Sequence, residues 1–178
     1  MSEPVFDIHY VTKVVNRRQP VFGLDPRFPQ YVIENLEFYR NKFGFKLYGF
    51  VIMPDHIHDI IDTCGKTPIQ KIFEDMDKFI ARQVLSDLKS QNHTILQKLA
   101  IDLPPRRGHK RHEYRLFQKG DYDFQVITAG KLIEKLKYMH ENPVQAKLVD
   151  KPEDYPFSSA RNYILDDDSV IRLDKLPI

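Results

Sequence analysis

The chain has 178 residues, of which 42% are hydrophobic and 29% are charged, and its formal net charge is only +2. This length predicts one domain over residues 1–178, while no apolar run is long enough for a membrane span and no signal peptide is recognisable. Cys64 is the only cysteine, so an internal disulfide is excluded, and we expect a protein of the reducing cytoplasm.

Residues 6–62 predict three strands and one helix. Residues 6–15 are rich in β-branched and aromatic side chains, which is typical of a strand. Apolar positions at helical spacing predict a helix over residues 30–42, which Gly44 ends. Residues 46–53 and 56–62 predict two more strands, joined as antiparallel neighbours by a turn at Pro54 and Asp55.

Residues 68–141 predict two more helices and a fourth strand. A helix from residue 68 to about 89 is predicted by its apolar stripe, and residues 95–101 extend or restart it. Residues 113–127 predict a strand with a bend at Gly120, and residues 131–141 a helix that Asn142 and Pro143 end. Residues 164–178 form an acidic tail that we expect to be flexible. This order predicts an α+β fold, with an antiparallel sheet of four or five strands and helices on one face.

His56 and His58 lie in the third predicted strand, separated by Ile57. Because side chains alternate along a strand, both imidazoles point to the same face and could hold one metal ion. The alternative is a pair of partly buried histidines with hydrogen-bonded rings, and an isolated pair of this kind favours it. The choice between the two interpretations therefore depends on other segments of the sequence.

The end of the last predicted helix is a second segment whose side chains could take part in catalysis. Tyr138 and Asn142 are four residues apart and share a helix face, whereas His140 faces elsewhere. Taken alone, this pattern is more typical of an aromatic core residue near a helix end.

Three motifs together carry a resemblance to a known family. MPDHIHDI (residues 53–60), YMHENPVQAKLV (138–149) and YPFSSARNY (155–163) occur in the order seen in the REP-associated tyrosine transposases. These belong to the single-tyrosine HUH transposases, the IS200-like group of bacterial mobile elements. YVTKVVNRRQPVF (10–22) resembles the family's first strand and loop, and LFQ (116–118) resembles its fourth strand. Asp55 stands where the family often has Asn, and Lys147 replaces a frequent Gly.

The resemblance implies a ferredoxin-like fold, with which the predicted element order agrees. It implies that His56 and His58 bind one divalent ion, Mg²⁺ or Mn²⁺, for which Asn142 is the candidate third ligand because it shares a helix face with Tyr138. It also implies that Tyr138 cleaves single-stranded DNA near a hairpin, leaving a 5′-phosphotyrosine linkage and a free 3′-hydroxyl. We expect His140 to support the site indirectly, and Tyr122 is the tyrosine to test as a competing nucleophile.

Basic residues in two loops are the candidate DNA-backbone contacts, because each cation can displace a counterion from a phosphate. They are Arg17, Arg18, Arg106, Arg107, Lys110 and Arg111. The expected partner is single-stranded or hairpin DNA, bound by a monomer or a homodimer. Two alternatives stay open: a hairpin-binding regulator that has lost catalysis, and a metallohydrolase built on the histidine pair.

Overall fold

The computed structural model describes residues 6–101, 114–120 and 122–178. The strands are β1 (Ile8–Val14), β2 (Lys46–Ile52), β3 (His56–Asp62) and β4 (Tyr122–Gln125). The helices are α1 (Arg27–Phe43), α2 (Ile69–Ser90), α3 (Leu96–Leu99), α4 (Ala129–Gln145) and α5 (Ala160–Leu165). Short 3-10 turns lie at Asn16–Arg18, Val21–Gly23 and Pro152–Asp154.

The four strands form one antiparallel sheet in the order β2-β3-β1-β4. The sequential hairpin β2–β3 is thus joined at its β3 edge to β1, and β4 closes the other edge. With α1 between β1 and β2 and α2 between β3 and β4, this is the ferredoxin-like topology, so the predicted fold class is confirmed.

Helices cover both faces of the sheet, so the expectation of helices on one face only is wrong. The first core cluster joins α1 and α2 to Val11, Ile57 and Ile61. The second joins Leu132, Leu136 and Met139 of α4 to the opposite face. The physical reason is that β2 and β3 are buried at nearly every position, and a sheet buried on both faces needs a layer on each.

The last long helix does not stop before its proline, contrary to the prediction. Pro143 lies inside α4, which continues to Gln145. Proline removes the backbone donor that would pair with the Met139 carbonyl, yet the helix continues past it, because Ala146 still donates its N–H to the carbonyl of Asn142. The continuation keeps Asn142 on the same helix as Tyr138.

Within the predicted strand over residues 113–127, of which 113 and 121 lie outside the described residues, regular pairing is limited to β4. Phe117 forms only an isolated bridge with Val15, and regular pairing begins at Tyr122. The predicted bend is present at Gly120, whose positive φ of 80° favours glycine.

The acidic tail contacts the body of the protein. Ile171 is buried in the first core cluster, and the side chain of Asp174 accepts a hydrogen bond from the Leu47 N–H. Arg40 also pairs with Asp174 at 2.6 Å. The flexibility of residues 164–178 stays a prediction, but these contacts were not foreseen.

Four of the predicted DNA contacts, Arg106, Arg107, Lys110 and Arg111, lie outside the described residues. Within the described ranges, no helix is long and apolar enough to cross a membrane.

Candidate active site

The two histidines lie at the beginning of β3 and point to the face that α4 covers. Their ring centroids are 4.8 Å apart. In the sheet, His58 lies opposite Thr12 of β1 and Val51 of β2, so it occupies a central position in the hydrogen-bonded ladder. The regular strand therefore holds both rings with little freedom to move.

The ring of His58 is held by two hydroxyl groups of β1. Its Nδ1 lies 2.9 Å from the Tyr10 hydroxyl and 2.8 Å from Thr12 Oγ1, whereas its buried Nε2 has no hydrogen-bond partner among the described residues. An Nε2–H would be buried unpaired, so the tautomer with the proton on Nδ1, donated to a hydroxyl oxygen, is favoured. Burial, together with the nearby His56, lowers the pKa of His58 to about 3, so the ring is neutral.

His56 is oriented by a carboxylate. Its Nδ1 lies 2.6 Å from Asp55 Oδ1, and Arg18 donates a hydrogen bond of 3.1 Å to the other oxygen of the same carboxylate. A histidine that donates one ring N–H to a carboxylate presents the other nitrogen as a metal ligand. Asp55, a departure from the family's frequent Asn, thus holds the ring of His56.

Tyr138 lies on α4, directly above His58. Its side chain is 50% exposed, and its ring centroid is 5.9 Å from that of His58. Thr128 caps the start of the helix by accepting a hydrogen bond from the N–H of Lys131, and buried Leu136 and Met139 fix its inner face. The exposed Tyr138 therefore stands on a helix whose position is set by core packing.

Asn142 follows Tyr138 by one turn and borders the same site. Its Nδ2 donates a hydrogen bond to the Tyr138 carbonyl oxygen at 2.8 Å. It also lines a cleft of about 510 Å³ beside the histidine pair. The residues of this cleft that matter here are Arg18, Met53, His56, Asn142, Gln145 and Leu148.

His140 faces away from the histidine pair. Its Nε2 lies 2.8 Å from Ser159 Oγ, which in turn accepts a hydrogen bond from the Phe50 N–H of β2. Burial lowers the pKa of His140 to about 4, so its ring is neutral. These contacts link α4 to the sheet, and the indirect role of His140 in the site stays a prediction.

The two loop arginines separate in the structure. Arg18 borders the cleft, whereas Arg17 donates a hydrogen bond to the Lys98 carbonyl oxygen at the end of α3. Both have positive φ angles, 54° and 50°, which are strained for residues with a Cβ. Only Arg18 is thus brought to the histidine pair.

A divalent ion fits the histidine pair. The donor set comprises two imidazoles whose Nδ1 atoms are hydrogen-bonded and, for His58, a buried Nε2 that has no partner in the described part of the chain. Asp59 does not add a carboxylate, because it points to the opposite face near Lys13 and Asp77, and its burial raises its pKa to about 8. In the described part of the chain, no group of three His, Cys, Asp or Glu side chains could hold a metal. Asn142 carries an amide and is therefore not one of these residue types.

Sequence reasoning missed the residues that orient the histidines. The sequence pattern indicates only that Tyr10 and Thr12 belong to the first strand. Their spacing of two places them on one face of β1, but which neighbour they meet depends on the strand register.

The comparisons with known proteins bear on the family. The profile described as "Transposase IS200 like" matches residues 4–100, more than half of the chain. The chain belongs to this family. The match includes His56 and His58 but ends before α4. No curated protein sequence matches the chain.

Two solved structures of low sequence identity share the fold. One is a REP-associated tyrosine transposase bound to a REP hairpin, with a TM-score of 0.64, 14% identity, and coverage of 100% of this chain and 94% of the other. The second is a candidate transposase from Deinococcus radiodurans R1, with a TM-score of 0.52, 11% identity, and coverage of 79% and 94%. The predicted family is confirmed by the profile, and these structures show the same architecture.

Proposed function

We propose that this chain is a metal-dependent enzyme that nicks and rejoins single-stranded DNA near hairpins through a covalent bond to Tyr138. The observation that carries the proposal is the placement of the exposed Tyr138 ring beside His58, whose buried Nε2 lacks a partner among the described residues. An exposed tyrosine next to two imidazoles that are oriented by hydrogen bonds suits phosphoryl transfer.

His56, His58 and Asn142 would hold the ion, Mg²⁺ or Mn²⁺. When bound, it supplies positive charge to the oxygens of a phosphodiester. The chain's own contribution is orientation: Asp55 and the β1 hydroxyls fix the two rings, and the neutral state of His58 keeps a lone pair available.

Tyr138 supplies the nucleophile. Its phenol oxygen bonds to phosphorus, the bond from phosphorus to the 3′ oxygen breaks, the phenol proton passes to solvent and the leaving 3′ oxygen takes up a proton. The products are a 5′-phosphotyrosine and a free 3′-hydroxyl. A phenolate leaves more readily than an alkoxide, since the phenol pKa is near 10, so the 3′-hydroxyl of another strand can reverse the step and release Tyr138.

The proposed partner is single-stranded DNA with a hairpin. The shared fold with a transposase bound to a REP hairpin supports it, and so does Arg18, whose guanidinium is mostly exposed beside the cleft. Arg17, Arg106, Arg107, Lys110 and Arg111 remain proposed backbone contacts. The active unit is proposed to be a monomer or a homodimer.

The test is a denaturing gel with labelled single-stranded DNA taken from palindromes that flank the gene. We expect a slowly migrating, protease-sensitive DNA band that needs Mn²⁺ or Mg²⁺ and is absent with Tyr138→Phe. Tyr31→Phe is the matched control, because Tyr31 lies on α1 at the opposite face and its hydroxyl donates a hydrogen bond to Asp87 of α2. Cleavage that survives Tyr138→Phe would instead indicate a metallohydrolase, and a native-gel shift without any cleavage would indicate a regulator that only binds.

A further inference from the structure

Beside the proposed nucleophile lies a second cluster, formed by Tyr122 and Phe124 of β4 and Lys135 of α4. Tyr122 lies opposite Thr12, which in turn lies opposite His58, so the three residues form one row across three strands. Lys135 precedes Tyr138 by three residues on α4, a spacing that places both on one helix face. The cluster therefore borders the site on the side away from Arg18.

The ammonium group of Lys135 is surrounded by aromatic rings rather than by carboxylates. Its Nζ lies 4.7 Å from the ring centroid of Tyr10, 5.0 Å from that of Phe124 and 5.9 Å from that of Tyr122. No carboxylate of the described residues forms an ion pair with it, and its charge is close enough to help lower the pKa of His58, after the larger effects of burial and His56. A positive charge that forms no ion pair within the described ranges, next to a proposed site for phosphodiesters, is available to bind a phosphate.

Tyr122 offers an aromatic face to solvent at the same place. Its side chain is 54% exposed, and its ring packs edge-on against Tyr10 with centroids 6.4 Å apart. Proteins that bind single-stranded nucleic acids combine exposed aromatic rings, on which bases stack, with cations that follow the backbone. Tyr122 and Lys135 have this combination.

We propose that Tyr122 and Lys135 form a nucleotide subsite, in which a base of single-stranded DNA next to the scissile phosphodiester stacks on Tyr122 and a neighbouring phosphate contacts Lys135. The subsite rests on the proposed function, because it assumes that the strand crosses Tyr138. The bound strand then runs from the cleft beside Arg18, past Tyr138, to the edge strand β4.

The opposing interpretation is that Lys135 only stabilises the fold through its contacts with the rings. The two interpretations differ in their salt dependence. A lysine that binds phosphate changes the slope of log affinity against log salt concentration, whereas a structural lysine changes stability and leaves this slope unaltered.

The experiment measures fluorescence anisotropy of labelled oligothymidylate with the full chain and EDTA, which prevents metal-dependent cleavage. We expect Tyr122→Ala to weaken binding roughly 10-fold and Tyr122→Phe to stay within about twofold, because phenylalanine retains the stacking face. We expect Lys135→Gln to reduce the salt slope by about 0.7, the value for one phosphate contact on a single strand. Circular dichroism and melting of each variant verify that it is folded.

Matched controls come from the opposite side of the sheet. Phe38→Ala removes an aromatic ring that is 58% exposed on α1, and Lys78→Gln removes an exposed lysine of α2. Neither should alter affinity or salt slope.

An affinity of Tyr122→Ala equal to that of the wild type, or an unchanged salt slope for Lys135→Gln, would overturn the subsite. The covalent-adduct gel on the same preparations separates this result from the proposed function. If the adduct forms but binding does not depend on Tyr122, only the subsite is contradicted. If binding depends on Tyr122 but no adduct forms, the nuclease proposal is contradicted and the contribution of Tyr122 to DNA binding stands.

Discussion

Gly49 of β2 packs closely against side chains of α4, so Gly49→Ala should disturb the helix that carries Tyr138. A Cβ at this position would lie 2.7 Å from Leu136 Cδ2, 3.3 Å from Ser159 Oγ and 3.4 Å from Met139 Cε. The first distance is shorter than carbon atoms tolerate, and the other two leave no room for the added methyl group to avoid it.

The size of the effect follows from what can move. Leu136 Cδ2 is the end of a side chain, but that side chain is buried against the sheet and leaves its rotamer at a cost of about 0.5–1.5 kcal/mol. If the rotamer holds, the backbone of α4 must shift, and overpacking of this kind typically costs about 1–3 kcal/mol. We therefore expect Gly49→Ala to lower the free energy of unfolding by about 1–3 kcal/mol.

The same shift should slow DNA nicking, since a misplacement of about 1 Å at a reacting group can cost roughly 100-fold in rate. Urea denaturation measures stability, and single-turnover adduct formation measures the rate. Gly130→Ala on α4 is the matched control, because nothing lies within 4 Å of its added Cβ. If Gly49→Ala is as stable and as fast as Gly130→Ala, the close packing of β2 against α4 does not position Tyr138.

Four further predictions concern the histidine ligand, the two ends of the C-terminal segment and one strained residue. Thr12→Val removes a hydroxyl from His58 Nδ1, and we expect Mn²⁺ affinity by calorimetry to fall about 10-fold or more, whereas Thr12→Ser retains it. Burial raises the pKa of Tyr155 to about 12, so this residue should contribute a loss of about 1–2 kcal/mol of stability between pH 10 and 12, where the unfolded chain ionises first. Because burial also raises the pKa values of Tyr10, Tyr48 and Tyr163, the loss should persist in Tyr155→Phe but be smaller than in the wild type by about this amount, as measured by denaturation series. Ile171→Ala should cost about 2–4 kcal/mol in urea denaturation, and no change would mean that the tail does not pack in solution. Lys147 has a φ of 57°, so Lys147→Gly should raise the melting temperature by relieving about 1 kcal/mol of strain.

The strand β3, which carries both histidines, shows which features a local sequence pattern can predict. The bounds of β3 and the common face of His56 and His58 follow from alternation within seven residues, and the structure agrees with both. The hydroxyl groups on His58 could not be predicted, because they depend on which residue of β1 lies opposite, and register is set by the whole sheet.

The helix that carries Tyr138 shows where local rules fail. The rule that residues before proline avoid helical backbone ended it at residue 141, yet packing of Leu136 and Met139 carries α4 to Gln145. Its side of the sheet was also missed, since the period of an apolar stripe indicates that a helix is buried but not against which face.

The two arginines of the first loop are adjacent in sequence and equal in charge. In the structure their side chains point in different directions. Both backbones have positive φ, and Arg17 binds the end of α3 whereas Arg18 binds Asp55. Side-chain direction in an irregular loop has no period from which it could be predicted.

The central claim is that Tyr138 becomes covalently bound to DNA. The most direct measurement is mass spectrometry of protease-digested protein after reaction with hairpin-flanked single-stranded DNA and Mn²⁺, followed by nuclease trimming. We expect a nucleotide mass on the peptide that contains Tyr138, and we expect it to be absent with EDTA and in Tyr138→Phe. A nucleotide on the peptide of Tyr122, or cleaved DNA with no modified peptide, would contradict it.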